Sequence, residues 1–463
     1  MARKEHIAKP SEEPLRPTVT LRHLRWLRDL QFRRHSGVIW ETIFVTVIIF
    51  IGFLESLVLG HHNGWHSIFD AGFGFGELAR SLREHGEYRA CYGDGTGFWD
   101  YFWGHICFHA HRLPFIPIFL ASISFISVNP LFGLIFKNVI FFTTSALAFV
   151  QVRRTFGTPW PVLLVSACIF YLNPINAWVA AGLEFEEGYI YHILPWIFFV
   201  LATPAPKKWQ IAVLALALVV LILLKSSLFY LCITCIILLI FLEKRNIWKF
   251  YPAAICLFMA IIGWGAFTLQ TSGRFAFGSD MSSNNGWNLY KGNNVYTADF
   301  YPNIHLDYLD NAGITKLPGT FHNEWDLNDR YKELALAFMV GNPLQTAKNI
   351  STRLYVMFIS TNNIENKIPG QSIFVLHIIL VLTIIYSIIA FFVNTKIRRL
   401  CIVYITVLLA YLLPYISGFA YQRHMVPACG IALFFAMAAW GVIASSKRDL
   451  TNSTRRSIPR ARG

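Results

Sequence analysis

Asp70 is the acidic residue whose surroundings in the sequence best fit catalysis. It closes the pattern Ser67-x-x-Asp70 in a polar stretch that directly follows the first long apolar run. A carboxylate at a membrane surface can act as a general base when it comes within hydrogen-bond distance of the proton it removes. The same spacing is typical of a capping box, in which the carboxylate only satisfies backbone N–H groups at a helix start. Spacing alone favours the capping interpretation, and both interpretations stay open.

The histidines of the same stretch raise the question of a metal site. His109 and His111 are spaced as His-x-His with acids nearby, a pattern that can bind Zn²⁺ or another divalent ion. Without fixed geometry, hydrogen bonding at the interface is the favoured role for these side chains. No cofactor is required by the sequence, and dependence on a divalent cation stays open. The same question concerns His61, His62, His66 and His105.

Long apolar runs must position these residues. The 463 residues are 55% hydrophobic and only 14% charged, which is less charge than a soluble chain of this length carries. Continuous runs near the roughly 20 residues of a membrane span predict helices, because barrel strands would alternate every second residue. The runs are Val38–Gly60, Leu113–Val128, Leu131–Val152, Pro161–Ala181, Ile190–Ala202, Ile211–Leu224, Leu228–Leu242, Ala253–Leu269, Ile373–Val393, Ile402–Ile416 and Pro427–Ala444.

The basic residues indicate how the chain is oriented. The net charge is +14, but Lys and Arg are concentrated at both termini and in short breaks between runs, as the positive-inside rule predicts for cytoplasmic ends. We therefore predict no nucleic-acid partner. The expected fold is an all-α polytopic membrane protein with cytoplasmic basic tails at 1–37 and 446–463. Its membrane domain, 38–445, contains two large outer loops, 61–112 and 272–369.

One run interrupts the alternation of sides. If both Leu113–Val128 and Leu131–Val152 crossed the membrane, Arg153 and Arg154 would lie on the outer face. We expect the shorter run to be re-entrant or half-crossing, since irregular backbone is tolerated where protein covers it. About eleven apolar segments would then give about ten crossings.

The first outer loop contains a predicted interfacial helix and two cysteines. An apolar stripe opposite charged residues predicts an amphipathic helix that lies in the interface and ends at Gly86. Cys91 and Cys107 follow, and a disulfide and two free thiols are equally compatible with their spacing. The stripe is Phe75, Leu78, Ala79 and Leu82.

Several loose motifs follow one another along the predicted outer face. They are Asp70 with Phe73, Leu78–Ala79 and Gly86–Tyr88; His111–Arg112–Leu113–Pro114; Asn173–Pro174 followed by Glu184, Glu186 and Glu187; Lys225 at a span end; Gly286–Asn294; Ala335 with Asn342–Pro343; and Arg423 with Pro427. Their order and common face resemble those of a GT-C glycosyltransferase, the polytopic class that uses polyprenyl-phosphate-linked sugars and includes protein O-mannosyltransferases and aminoarabinose transferases. The resemblance spans most of the chain.

Two positions depart from that pattern. Lys225 stands where the family usually has Arg. The paired acids that metal-using members often place in the first loop are missing, because a Gly-rich stretch separates Asp94 from Asp100. This second departure weighs against an essential metal.

The resemblance implies a reaction and roles for the acids. A sugar would move from polyprenyl phosphate to an acceptor hydroxyl on the outer face, with inversion at the anomeric carbon. Asp70 would be the catalytic base, and Glu184, Glu186 or Glu187 would be a second acid or orienting group. Asp70→Asn is then expected to abolish transfer with little effect on melting.

The resemblance also implies ligand-binding roles. Arg112, Lys225 and Arg423 would bind the donor phosphate, although snorkelling to the interface is the alternative role for each. An Asn-rich segment would hold the donor or its sugar, although such a string is also typical of a polar turn. The residues assigned to donor or sugar binding are Asn288, Lys291, Asn293, Asn294, His109 and His111.

The acceptor and the compartment are less specified. The acceptor would be a glycan, a lipid or a protein in cell-envelope assembly, beside membrane lipid. Short basic inner loops favour a bacterial inner membrane with the active site facing the periplasm. Three alternatives remain: a lipid or polysaccharide transporter or flippase, an O-antigen ligase or polymerase type of enzyme, and a non-catalytic scaffold. A GT-C enzyme should bring Asp70, Arg112, Lys225 and one of Glu184–Glu187 to a single outward cavity.

Overall fold

The computed structural model describes residues 18–60, 65–91, 107–244, 247–300, 321–360 and 370–457. His61, His62, Asp94, Asp100 and His105, which figured in the metal question, lie outside these residues. The chain forms two compact units, 1–47 and 48–463, and every side chain of the site belongs to the second. The described chain is an all-α polytopic membrane protein, as predicted.

The helices follow the predicted apolar runs closely. In chain order they are α1 (Thr18–Gly60), α2 (Phe75–His85), α3 (Phe115–Ser124), α4 (Pro130–Phe156), α5 (Trp160–Leu172), α6 (Pro174–Ala181), α7 (Glu186–Ala202), α8 (Lys208–Leu224), α9 (Phe229–Leu242), α10 (Tyr251–Ser272), α11 (Asn285–Gly292), α12 (Val295–Phe300), α13 (Glu324–Gly341), α14 (Pro343–Phe358), α15 (Gly370–Val393), α16 (Arg398–Ser417) and α17 (Met425–Ser457). Single 3-10 turns lie at Ile68–Asp70, Ser226–Leu228, Ile247–Phe250, Gly278–Met281, Thr395–Ile397 and Gln422–His424. One short strand pair, β1 (Ala90–Cys91) and β2 (Cys107–Phe108), completes the described structure.

Length and composition identify six candidate membrane spans among the described helices. Six stretches within the described residues are long and apolar enough to cross, and four apolar helices are shorter. Large apolar side chains such as Leu382, Ile385 and Ile389 of α15 are exposed, which is the arrangement expected of a helix that faces lipid. The six stretches are Gly37–Val58, Pro130–Phe156, Ile247–Ser272, Ile373–Val393, Thr395–Ser417 and Gln422–Ser446.

The helix α3 corresponds to the run expected to be re-entrant. Its 10 residues give a length of about 15 Å, half of a hydrocarbon core of about 30 Å. Pro114 precedes it, and at its other end Asn129 caps α4 through a bond from the Leu131 N–H. A helix of this length agrees with a segment that enters the membrane domain without crossing it.

A second break divides the run Pro161–Ala181. The side chain of Asn173 accepts the N–H of Ile175 and so caps α6, while Pro174 occupies the first position of that helix. Residues 182–185 then lead into α7, which begins at Glu186. The run therefore forms two short helices, α5 and α6, followed by the loop 182–185, instead of one continuous span.

The predicted amphipathic helix is present, but its start differs from the expectation. Ser67 and Asp70 form a capping box, as predicted, yet the box opens only the turn Ile68–Asp70. The helix α2 begins separately after Gly74 and ends at Gly86, both in the left-handed conformation that favours glycine. Its predicted stripe is turned inward, with Phe75, Leu78 and Ala79 buried.

One buried carboxylate ties the two large loops together. Glu324, at the start of α13, accepts the N–H groups of His109 and Ala110 at 2.9 and 3.1 Å. It also accepts the Ser283 hydroxyl at 2.6 Å. The segment that ends in His111 and Arg112 is thereby fixed beside the segment that begins α11. We call the side of the membrane domain that carries these loops the loop side.

Cys91 and Cys107 are joined by a disulfide, which settles the alternative left open by the sequence. The bond holds β1 against β2, four residues before His111. The remaining six cysteines are free, and four of them are buried.

The disulfide can be tested by alkylation. Denatured, unreduced protein treated with iodoacetamide should gain six adducts by intact mass, because six thiols are free. Reduction before alkylation should raise the number to eight, the total number of cysteines. Eight adducts without reduction would contradict the disulfide, and Cys91→Ser with Cys107→Ser should give six under both conditions.

Candidate functional site

A cavity of about 540 Å³ lies on the loop side, where the ends of several helices meet. The start of α7, the end of α8, the end of α16 and the turn before α17 each contribute to its wall, and α11 closes it from the second loop. Cations outnumber carboxylates among the described lining residues by five to three. The cations are Arg112, Lys225, Lys291, Lys332 and Arg423, and the carboxylates are Glu184, Glu186 and Glu187.

Glu187 is the centre of the charge cluster in this wall. One of its carboxylate oxygens, Oε1, lies 2.7 Å from Lys225 Nζ and 3.2 Å from His424 Nε2, and the other, Oε2, lies 3.7 Å from Arg423 Nε. The Glu187 side chain is 3% exposed, so a cation must accompany it to offset the loss of water. Three different helix ends are joined through this one carboxylate.

Helix dipoles support the same arrangement. Glu186 and Glu187 occupy the first turn of α7, where negative charge is stabilised, and Lys225 immediately follows the last turn of α8, where positive charge is stabilised. Lys225 Nζ also lies 2.7 Å from Glu186 Oε2. Glu186 and Glu187 stand at the start of α7, and Lys225 stands at the end of α8. Antiparallel packing of these two helices brings the carboxylates and the ammonium together.

The two arginines of the cavity are held against aromatic rings. Arg112 donates from Nε to the Phe73 carbonyl at 2.7 Å, with its guanidinium 5.2 Å from the Phe75 ring centre. The guanidinium of Arg423 lies 4.9 Å from the ring centre of Tyr421 and 5.5 Å from that of Phe185. Guanidinium groups at these distances interact with the faces of the rings, which helps to hold both arginines beside the cavity.

Glu184 differs from its two neighbours. Its side chain is half-buried, and its Oε2 atom is shielded from solvent and has no hydrogen-bond partner among the described residues. Burial raises the pKa of Glu184 to about 7, and nearby backbone N–H groups together with the charges of Lys137 and Arg423 offset only part of this rise. A carboxylate that titrates near neutrality and lines a cavity is suited to exchange a proton there.

The Asn-rich segment forms the part of the wall that belongs to the second loop. Asn288 and Lys291 line the cavity from α11, and Lys291 Nζ lies 4.1 Å from the Trp287 ring centre and 5.2 Å from that of Phe419. Asn293 is buried instead and donates to the carbonyls of Leu289 and Ser417, both at 2.9 Å.

Close backbone contact explains a glycine in this segment. A Cβ atom at Gly292 would lie only 1.7 Å from the Gly418 carbonyl oxygen, so a larger residue would displace the loop after α16. Arg353 of α14, almost fully buried, donates to the carbonyls of both glycines. Asn294 donates to the Tyr290 carbonyl at 2.7 Å, which completes the turn. Asn293 and Asn294 therefore build the wall and do not line the cavity.

Asp70 lies outside the lining of this cavity. Its Oδ2 accepts the N–H groups of His66 and Ser67 at 2.9 and 2.8 Å, the helix-start role weighed from the sequence, and its side chain is exposed. A catalytic role for Asp70 stays a prediction. His109 also lies outside the lining, beside Glu324, whereas His111 is buried and lines the cavity. Burial lowers the pKa of His111 well below its usual value, which leaves the imidazole neutral near pH 7.

Several lining residues were not singled out from the sequence. His424 and Tyr415 complete the surroundings of Glu187 and Lys225, with Lys225 Nζ 5.4 Å from the Tyr415 ring centre. Trp287 and Phe419 flank Lys291. Aromatic residues are so frequent in this chain, at 16%, that no sequence signal separated these from the lipid-facing ones.

The metal question can be addressed for the described residues. Among these residues, no group of three or more His, Cys, Asp or Glu side chains is arranged so that it could hold a metal ion. The three glutamates of the cavity lie around Lys225 and Arg423. Two of them, Glu186 and Glu187, contact the Lys225 ammonium directly.

Comparisons of the chain with protein-family models, with curated proteins and with solved structures find no match.

Asp70→Asn distinguishes the two roles of this residue. If Asp70 only closes the capping box, the amide oxygen of Asn still accepts both N–H groups, and activity should stay within about threefold of wild type. If Asp70 is the base, transfer should be abolished at unchanged melting temperature. Asp70→Ala provides the structural reference, because it removes the acceptor and should cost about 1 kcal/mol of stability.

Proposed function

We propose that this chain is a membrane glycosyltransferase that moves a sugar from a polyprenyl-phosphate donor to an acceptor hydroxyl at the loop-side cavity. The observation that carries the proposal is the convergence of Lys225, Arg423 and Arg112 with Glu184 in one cavity at the ends of membrane helices. This is the arrangement expected for an enzyme whose anionic substrate is anchored in lipid and whose second substrate is not.

The charge of the cavity fits the donor phosphate. Arginine presents a planar fork to phosphate oxygens and lysine a point charge, and both types are present here. Glu186 and Glu187 hold Lys225, while cation–π contacts with aromatic rings restrain the guanidinium groups. Cations fixed before the ligand arrives lose little freedom on binding, which favours stabilisation of the phosphate as it departs.

Glu184 replaces Asp70 as the base in this proposal, because Glu184 lines the cavity and Asp70 does not. The acceptor oxygen would attack C1 of the sugar as its proton passes to Glu184, and the bond between C1 and the phosphate oxygen would break with its electron pair on the phosphate. Direct displacement of this kind inverts the anomeric centre. A carboxyl group with a pKa near 7 combines a useful ionised fraction with adequate basicity at neutral pH.

The aromatic surfaces near Lys291 fit a sugar or a second substrate. Trp287 and Phe419 present apolar faces, while Asn288 lines the same wall and offers an amide. A ring with hydroxyl groups on its edge and C–H groups on its face meets both requirements of such a site. The proposed setting is cell-envelope assembly in a bacterial inner membrane, with the loop side facing the periplasm and a glycan, a lipid or a protein as acceptor.

Glu184→Gln tests the proposal directly. Purified protein in proteoliposomes is given a panel of radiolabelled polyprenyl-phosphate hexoses and pentoses together with an envelope fraction, and transfer of label out of the lipid phase is measured. Wild type should transfer, and Glu184→Gln should lose at least about 10²-fold because the amide cannot accept the proton. Glu333→Gln on the exposed face of α13 is the matched control and should retain the wild-type rate. Equal rates for Glu184→Gln and wild type would exclude Glu184 as base.

Lys225→Ala tests the phosphate site. The donor KM should rise by about tenfold or more, corresponding to loss of a charge-assisted contact, while the acceptor KM changes little. Because removal of Lys225 also leaves Glu186 and Glu187 without its charge, Lys225→Ala combined with Glu187→Gln should fold at least as well as the single variant. Lys348→Ala, an exposed lysine of α14, is the control. An unchanged donor KM in Lys225→Ala would contradict the assignment.

A further inference from the structure

Lys137 is a charged residue inside a predicted membrane span, and the proposed reaction as described so far does not use it. It lies in α4, seven residues from the first residue of that helix, and is 1% exposed. A lysine at such a position is costly to bury and is kept only where a specific partner repays the loss of water.

The contacts of Lys137 lead to the loop that carries Glu184. Its ammonium donates to the Gly182 carbonyl, two residues before Glu184, and lies 4.6 Å from the ring centre of Tyr189. The Tyr189 hydroxyl in turn donates to the Leu183 carbonyl at 2.8 Å. Both residues that directly precede Glu184 are thus held by side chains from neighbouring helices.

Packing around the ammonium leaves little room for change. A Cβ atom at Gly188, in the first turn of α7, would lie 3.4 Å from Lys137 Nζ and 2.8 Å from the Val179 carbonyl oxygen. The absence of a side chain at Gly188 lets α6 and α7 close over the lysine. The ammonium is therefore enclosed by the same short segment that turns from α6 into α7 and carries Glu184.

We propose that Lys137 is a positioning residue for Glu184, which fixes the loop 182–185 at the cavity wall and supplies the positive charge that favours the ionised carboxylate. This inference rests on the proposed role of Glu184 as base. Lys137 does not line the cavity, so it acts through Glu184 and does not touch the substrate.

Within the part of the chain that the structure describes, titratable groups from three elements face Glu184. Lys137 approaches from α4, Arg423 from the turn before α17, and Tyr189 from α7. Both cations favour the ionised carboxylate and oppose burial, which raises its pKa to about 7. Loss of the Lys137 charge should therefore raise the pKa of Glu184 further. A base is active only when ionised, so activity on the acidic side should then need a higher pH.

The pH–rate profile of Lys137→Met is the first test. The acidic limb of kcat should move upward by about one pH unit relative to wild type, so that the rate at pH 6 falls by about tenfold. Near pH 9, the rate should stay within about threefold of wild type, and the donor KM should not change. Lys348→Met, which removes an exposed lysine of α14, is the matched control and should keep the wild-type limb. A purely structural role would lower kcat equally at every pH and would overturn the inference.

A spectroscopic titration makes the test independent of the transferase proposal. The C=O stretch of protonated Glu184 is obtained as the infrared difference between the protein and its Glu184→Gln variant over a pH series. The midpoint of this band should lie higher in the Lys137→Met background than in the Lys137 background. Equal midpoints would contradict the inference even if wild type transfers sugar. A shifted midpoint without transfer would support Lys137 and contradict only the proposed function.

A milder variant covers the case in which Lys137→Met fails to accumulate. Tyr189→Phe keeps the ring beneath the ammonium but removes the hydroxyl that holds the Leu183 carbonyl. It should lower kcat at all pH values without moving the acidic limb, because it loosens the loop without removing a charge. A shifted limb in Tyr189→Phe would show that loop position, and not the Lys137 charge, sets the titration, and would overturn the inference.

Discussion

Burial of Glu187 is the constraint on which the rest of the site depends. A carboxylate this deeply buried must be compensated by cations, and the nearest ones come from two other helix ends, as Lys225 and Arg423. The ends of α8 and α17 must therefore meet the start of α7 at one point. The antiparallel arrangement of α7 and α8 places the positive dipole end of α7 beside the negative dipole end of α8. It thereby brings Glu187 and Lys225 together at the loop side. Removing Lys225 would leave Glu187 with only the more distant Arg423 as a cationic neighbour, so loss of this lysine should destabilise the protein.

The loops complete what the helix ends begin. Glu324 fixes the segment before Arg112 against the segment before α11, and Arg353 fixes α11 against the loop after α16. Each is a single buried side chain that forms hydrogen bonds with several backbone groups. Such bonds satisfy the polar groups of irregular backbone beside a membrane. The resulting cavity is lined by helix ends and by loop segments that these buried side chains hold in place. Such a cavity can hold a lipid-anchored anion and remain open to a polar partner.

The sequence predicted the helices well, because hydrophobic run length in a membrane protein reflects the thickness of the bilayer. Pro174 and Gly86 likewise marked helix boundaries through their fixed backbone preferences. The side-chain pairings were less predictable. No distance between Glu187 and Arg423, which are 236 positions apart, follows from the sequence. The Ser67–Asp70 spacing favoured a cap but left the role of a base open. His424 and Trp287 were missed because one His or one Trp among many carries no local signal in the sequence. Only the packing of α11 and of the turn before α17 brings these two side chains to the cavity.

The central claim is that the loop-side cavity binds the phosphate of an isoprenoid lipid. Native mass spectrometry of protein purified in mild detergent, with extraction and fragmentation of the bound lipid, tests it most directly. The account predicts one bound polyprenyl phosphate or polyprenyl-phosphate sugar per chain in wild type. In a variant that combines Arg112→Gln with Arg423→Gln, occupancy should fall by at least about tenfold, while the amount of bulk phospholipid stays equal. Only bulk phospholipid in wild type, or equal polyprenyl occupancy in the variant, would contradict the account.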